Sequence, residues 1–467
     1  MISPRLHPDP VRAECRPRGR LAFGFTQRTI ILLAAGLLLA LPGFFSPRLG
    51  YGMLAWDTIL LIAAAWDGLR LPKPNLISVE RAWNNAPALD SETDIELAIT
   101  QSGRCLLDCD IIDDLPESFT LAPSEHRLRA FPGARNTIRY RIEPRERGDV
   151  STGSVYVRYS SALGLIERWA VAPLEQPVRI YPALRQGENQ KIFLARARQL
   201  EMQVRQMQQR GIGREFESLR EFVTGDDLRD VCWTATARRG QLIIRRYQTE
   251  RSQAVWIVLD AGRLMRGRIQ PQPNAAHPAA HSKLDYACST AVVLAQLALY
   301  SGDRVGLLVY GRGLQQRVLP GRGATHLRVL VESLAQARAE ANEADHMRAS
   351  AALNRLQPRR ALVLWVTDLA ETAMRPEVVD GALALLRRHL ILFVAMAQPD
   401  VTAIAGARPK TVSQMFRAAA AQELANRRQH LLAQLREQGA LTLDLDPHSL
   451  TPAVLNEYLR IKEQARI

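Results

Sequence analysis

Residues 254–260 (AVWIVLD) are apolar at six consecutive positions and end on a carboxylate. A short run of Val, Ile and Trp without alternation reads as a strand buried on both faces, and such a strand needs covering layers on each side. Further runs follow at 304–310, 361–368, 390–397 and 440–445, with a more polar one at 314–319 that fits an antiparallel edge. Helical spacing fills the gaps. Leu327, Leu330, Val331 and Leu334 stand at i, i+3, i+4 and i+7, and Val454, Leu455, Tyr458 and Leu459 pair one turn apart. Strands alternating with helices predict a mostly parallel sheet over 252–467. Ligands of open α/β sheets bind outside the carboxyl ends of the strands. Asp260 and Asp368, each closing an apolar run, are therefore the first candidate site residues.

The amino-terminal part has a different character. Residues 1–28 carry six Arg against one Asp and one Glu, with four Pro, and read as a disordered basic cytosolic arm. Two apolar runs follow, 29–45 and 53–71, separated by a turn that holds Arg48. The first is just long enough to span a bilayer. A cleaved signal peptide is the competing reading, but it would leave the second run as an exposed apolar helix. A two-helix transmembrane hairpin over 29–71 is expected, although Asp57 and Asp67 interrupt its second helix. Basic residues lie before the first helix and, as Arg70 and Lys73, after the second. Both ends should therefore face the cytoplasm of a bacterial inner membrane.

Residues 75–182 alternate with period two, as in Ile95, Leu97, Ile99 and Val155, Val157, Tyr159. Short alternating runs between Gly, Pro and Asp predict an antiparallel β-sandwich of seven or eight strands, a spacer or docking surface. A charged connector, 188–251, begins with a polar helix at 188–210. The five cysteines are odd in number and mostly scattered, which argues against a disulfide framework, and Cys105 and Cys109 read as small core residues on one strand face. The net charge of +14 suits a membrane protein with a basic cytosolic face. The connector lacks clustered aromatics for base stacking, so nucleic acid is not an expected partner.

Within the connector, GREFESLREFVTGDDLRDVCWTATARRGQLIIRRYQTER resembles the signature of domain-of-unknown-function family 58, with Gly225, Asp226, Asp227, Arg229, Trp233 and Arg238 as the motif residues. The upstream EPRERGDVSTGSVYVRYSSALGLIERW is similar to the sandwich segment of the same family. The resemblance implies a von Willebrand factor A-like, Rossmann-like domain and a membrane anchor. It also implies a partner, a MoxR-type AAA+ ATPase, and no established enzymatic activity. Alternating charge around Trp233 reads as an ion-pair network that fixes the connector to its domain, with the indole as an apolar pin. Catalytic acids or metal ligands at Asp226 and Asp227 are the alternative.

The resemblance also implies a metal-ion-dependent adhesion site whose first loop reads D-x-S-x-S, completed by a Thr and a later Asp. Here the loop is DAGRLM. Asp260 and Asp368 match the two acids, but Gly262 and Leu264 stand where hydroxyls are needed. No Thr occurs near residues 344–353, and Asp345 or His346 is the nearest substitute. Two neighbouring carboxylates need a counter-charge, or one of them holds a proton. Arg263 is expected to supply that charge in place of a metal, with simple backbone capping by the two acids as the other reading. No cofactor is expected, and magnesium on Asp260 and Asp368 is the ion the pattern would take. The expected function is that of a membrane-anchored, non-enzymatic interaction protein. A metal-dependent hydrolase built on Asp260 and Asp368 is the alternative.

Overall fold

The computed structural model describes residues 8–19, 22–38, 47–121, 125–183, 215–223, 231–248, 253–271, 280–369 and 377–464. The chain divides into two compact units, Met1–Ala183 and Leu184–Ile467.

The first unit is an antiparallel sandwich with two helices. Its strands are β1 (Val11–Glu14), β2 (Arg16–Pro17), β3 (Phe23–Phe25), β4 (Ile77–Trp83), β5 (Thr93–Gln101), β6 (Leu107–Asp113), β7 (Phe119–Leu121), β8 (His126–Ala130), β9 (Arg135–Pro144), β10 (Gly148–Thr152), β11 (Val155–Ser161), β12 (Ile166–Ala172) and β13 (Gln176–Ile180). One sheet runs β1-β4-β5-β9-β7 and the other β2-β12-β11-β6-β8, with β3 also on β12. Alternation places Ile77, Val79, Ile95, Leu97, Ile111, Val155, Val157 and Tyr159 between them. Arg81 takes a core position on β4 and is fully buried. Its guanidinium forks onto Asp113 and also donates to Thr152 Oγ1 at 2.8 Å and Leu174 O at 2.9 Å, while Tyr140 donates to the same carboxylate.

Three expectations change here. The amino-terminal segment is not a free arm, because β1 pairs with β4 and β2 and β3 pair with β12. Short edge strands tolerate the Arg and Pro that made this segment read as disordered, since their outer face meets solvent. The sandwich holds more strands than expected, ten from β4 to β13 among the described residues. Cys109 lies in the core as expected, but Cys105 precedes β6 instead of sharing its face and is only partly buried.

Helix α1 (Gln27–Leu38) and helix α2 (Pro47–Arg70) pack together through Trp56, whose Nε1 donates to Leu32 O at 3.1 Å. Residues 51–70 are long and apolar enough to cross a membrane, whereas α1 as described has only 12 residues. Both helices leave large apolar side chains exposed, among them Ile30, Leu37, Leu54, Ile59, Ile62 and Leu69. Asp67 does not interrupt an apolar face. It is fully buried and accepts from the Ser161 hydroxyl and from the amides of Leu165 and Ile166 at 3.0 and 3.2 Å. Thr29 Oγ1 at the start of α1 donates to Leu165 O, so one turn of the sandwich holds one end of each helix.

The second unit opens with β14 (Glu215–Glu221), α3 (Trp233–Arg239) and β15 (Ile243–Gln248), and β14 pairs antiparallel with β15. Helix α3 stops at Gly240, whose φ of 69° suits a left-handed cap. The α/β sheet follows, built from β16 (Ala254–Asp260), β19 (Arg304–Tyr310), β20 (Leu314–Gly321), β21 (Leu362–Thr367), β22 (Leu390–Met396) and β23 (Leu441–Leu445). Two short strands, β17 (Arg268–Ile269) and β18 (His281–Ser282), pair beside it. Strand order is β20-β19-β16-β21-β22-β23, parallel except for the antiparallel edge β20. Numbered along the chain and read across the sheet, this is the doubly wound order 3-2-1-4-5-6. Among the described residues seven helices alternate with these strands: α4 (Lys283–Tyr300), α5 (Gly323–Gln336), α6 (His346–Leu356), α7 (Glu377–Leu386), α8 (Pro399–Gly406), α9 (Val412–Glu437) and α10 (Leu450–Glu463). Helices α6, α7 and α9 contribute Leu353, Val379, Leu385 and Leu432 to a core with Trp256, Trp365 and Phe393. Helix α4 packs on β16 and β19, with α5 and α10 against it.

Candidate functional site

At the carboxyl end of β16, Asp260 is almost fully buried. Its Oδ1 accepts from the amide of Gly262 at 2.7 Å, closing a tight turn, and its Oδ2 accepts from Thr367 Oγ1 at 2.7 Å. Burial pushes the pKa of this carboxyl up, and the nearby Asp368 pushes the same way. His346, the Gly262 amide and the Thr367 hydroxyl oppose the shift.

Asp368, one residue past β21, receives two cations. Lys283 Nζ donates to Oδ2 with both side chains out of solvent, and Arg428 Nη1 lies 3.2 Å from Oδ1. Arg428 comes from α9 and also pairs with Asp444 on β23 at 2.8 Å. Local sequence fixes Lys283. Ser282 caps α4 in a reciprocal box with Asp285, and the Lys283 amide donates to Gly267 O at 2.9 Å, which points the first residue of the helix at the strand ends. Burial lowers the Lys283 pKa and Arg428 adds to this, while Asp368 raises it.

A cover segment, residues 337–345, lies over the first loop. The Arg263 amide donates to Asn342 O at 2.8 Å, Glu340 N to Ala261 O at 2.7 Å and Asp345 N to Gly311 O at 2.9 Å. The Glu340 carboxylate accepts from Arg312 N at 2.8 Å and Gln315 Nε2 at 2.9 Å, and it fills the space where a side chain on Gly311 would stand. Beneath it, Trp365 Nε1 donates to Tyr310 Oη at 2.7 Å, which in turn lies 2.9 Å from His346 Nδ1.

Asp260 and Asp368 thus stand at the ends of the neighbouring strands β16 and β21, and the counter-charge on Asp368 does not come from Arg263. The first loop turns into a short 3-10 helix, Arg263–Arg266, that buries Met265 and leaves Arg263 exposed, paired with Glu343 at 3.1 Å. Lys283 and Arg428 take that role. Asp345 caps α6 by accepting from the Arg348 amide at 2.8 Å. The hydroxyl on Asp260 belongs to Thr367, not to the segment 344–353. A lysine at the head of the largely apolar α4, directly behind a capping serine, was the one sequence signal for Lys283. Arg428 carried none.

Among the motif residues, Gly225, Asp226, Asp227 and Arg229 lie outside the described residues, as does the expected helix at 188–210. Trp233 is 67% exposed at the start of α3, so it is not a buried pin, and Arg238 is exposed in the last turn. The two residues just before Trp233, Val231 and Cys232, are buried instead, and Val231 bridges to Ile244 of β15.

These donors do not fit a divalent cation. Magnesium asks for near-octahedral oxygen ligands, and here both oxygens of Asp368 face cationic nitrogens. Among the described residues no group of three or more potential metal-ligating side chains occurs. Restoring a serine at 262 also meets a wall, since a Cβ there would lie 2.8 Å from both the Ala344 amide and its Cβ. Gly262→Ser should therefore destabilise the unit by about 1–3 kcal/mol through overpacking against backbone. Urea melts with and without magnesium check this; a variant as stable as wild type and further stabilised by magnesium would contradict a closed site.

No curated protein matches this chain. Similar solved structures include the conserved hypothetical protein BatB from Bacteroides thetaiotaomicron, with 14% identity over 45% of this chain and 98% of that one and a TM-score of 0.28. A von Willebrand factor type A protein from Catenulispora acidiphila has 12% identity over 46% and 43%, with a TM-score of 0.27. An uncharacterized membrane spanning protein from Vibrio fischeri has 16% identity over 31% and 71%, with a TM-score of 0.19. The doubly wound sheet is defined by its own strand order. Residues 218–414 match the family model described as Protein of unknown function DUF58, from within β14 to the first turn of α9 and less than half of the 467 residues, so this chain carries a DUF58 region that spans most of the doubly wound sheet.

Proposed function

We propose that this chain is a membrane-anchored interaction protein without catalytic activity of its own, whose α/β unit presents its carboxyl-end loops to a protein partner. The partner class implied by the family resemblance is a MoxR-type AAA+ ATPase. The observation that carries the reading is the Lys283–Asp368–Arg428 cluster, with Lys283 and Asp368 fully buried and Arg428 partly so. Cations of the chain itself occupy the carboxylate that a metal-dependent domain would spend on its ion. What the loops then offer is surface, with Arg263, Arg266 and Glu343 exposed at their rim. The anchor is the α1–α2 hairpin. Its basic flanks, Arg70 and Lys73 on one side and the Arg-rich start of the chain on the other, favour a bacterial inner membrane with the soluble units in the cytoplasm.

The test is titration of the detergent-solubilised full chain with the MoxR-type ATPase of the same cell. A saturable complex is expected, weakened about tenfold or more by the pair Arg263→Glu and Arg266→Glu, as for charges at a protein interface. Absence of a complex would overturn the reading. So would magnesium-dependent hydrolysis of a phosphoester probe that Asp260→Asn abolishes, which would instead favour a hydrolase using Asp260 and Asp368.

A further inference from the structure

Helix α9 is 26 residues long, about 39 Å at 1.5 Å per residue. Only its second half reaches the sheet, through Leu431, Leu432 and Leu435. In the first half the buried positions are Ala418 and Ala421, and the short helix α8 packs alongside, with Gln422 Nε2 donating to Ala405 O at 3.1 Å. The two helices form a tip that carries large apolar groups outward. Val412 is 68% exposed, Met415 57% and Phe416 71%, and Ile404 on α8 adds to them. Positions 412, 415 and 416 fall on one helix face.

The tip is a formed structure. Thr411 caps α9 by accepting from the Gln414 amide, and Gln414 Oε1 accepts from the Lys410 amide at 2.7 Å. Its charge is mainly basic, since residues 401–422 hold Arg408, Lys410 and Arg417 and no acid, with Asp400 at the start of α8 and Glu423, paired with Arg427, just outside. All three cations are exposed. Apolar side chains at a helix end ringed by Lys and Arg match a surface that is negative above and hydrocarbon below. A water-facing role would leave this apolar face uncovered.

We propose that the α8–α9 tip docks on an anionic phospholipid surface, inserting Val412, Met415 and Phe416 between headgroups while Arg408, Lys410 and Arg417 meet phosphates. The inference rests on the membrane-anchored reading, which places a bilayer within the same molecule's reach.

The experiment uses the full chain carrying Ser413→Cys, labelled with a polarity-sensitive fluorophore and reconstituted into lipid nanodiscs. Four of the five native cysteines are buried and an unsubstituted chain corrects for any labelling of Cys105. Discs of phosphatidylcholine alone are compared with discs containing phosphatidylglycerol. A blue shift and intensity gain on the anionic discs is expected, lost with Arg408→Glu, Lys410→Glu and Arg417→Glu together, and lost with Phe416→Ser. Co-elution of chain and disc tests the anchor separately, so a chain that incorporates but shows no shift refutes the docking alone. A shift of equal size on neutral discs, or one that survives charge reversal, also overturns the proposal. So does a label that responds to an added protein partner but never to lipid.

Discussion

Lys283→Met should destabilise the α/β unit by about 3–5 kcal/mol, the cost of removing one partner from a buried ion pair. Methionine keeps the length and apolar stem of the side chain, so the loss reads the charge and not a cavity. Arg428 remains on Asp368 and should hold the loss toward the lower end of that range. Asp368→Asn should cost at least as much, because it strands an ammonium that is fully out of solvent. The double variant Lys283→Met with Asp368→Leu should regain most of the stability, since the desolvation of both groups disappears with them. Hydrogen exchange of β16 and β21 peptides in the full chain reports the change locally, which matters where two units unfold separately. A single variant within about 1 kcal/mol of wild type, the range of exposed pairs, would mean that Lys283 does not close the site.

The second large effect lies in the sandwich. Arg81→Met should cost about 3–5 kcal/mol by leaving the Asp113 carboxylate buried without its fork. The Thr152 hydroxyl and the Leu174 carbonyl lose a donor as well. Arg81→Lys should rescue only a small part, because an ammonium is a point donor that cannot span Asp113, Thr152 and Leu174 at once. Hydrogen exchange of β4 and β6 measures both variants. Equal protection in Arg81→Met and wild type would show that water or repacking satisfies Asp113 in place of the guanidinium.

The two cations that matter most explain what the sequence could and could not disclose. Asp260 and Asp368 were legible because each ends an uninterrupted apolar run, and a chain that turns out of a buried strand puts its next polar residue at the sheet edge. Strand positions and the antiparallel edge followed from the same periodicity. Lys283 and Arg428 lie 85 and 60 residues from Asp368 in the chain. Periodicity carries no information about which distant side chain fills a polar gap, and a lysine or arginine on a helix ordinarily reads as solvated. Trp233 misled in the opposite direction, since a large aromatic within a charged block suggests burial, yet α3 turns it to solvent. The strands β1 to β3 were hidden because they span only four, two and three residues, too short for any alternation to register.

The way the sandwich grips α1 and α2 has a mechanical corollary. Asp67 is bonded to the backbone of 165–166 and to Ser161, Thr29 holds the same turn, and Arg168 Nη2 donates to Gly68 O at 2.9 Å. Tyr159 then secures the chain just beyond the helix by donating to Pro72 O at 2.8 Å. No swivel lies between helix and sheet. A rotation of α2 about its axis must carry the sandwich through the same angle, and a sideways load on the sandwich arrives at the helix pair as torque. Whatever holds the helices therefore also sets the heading of the sandwich, as a shaft fixes the heading of a vane keyed to it.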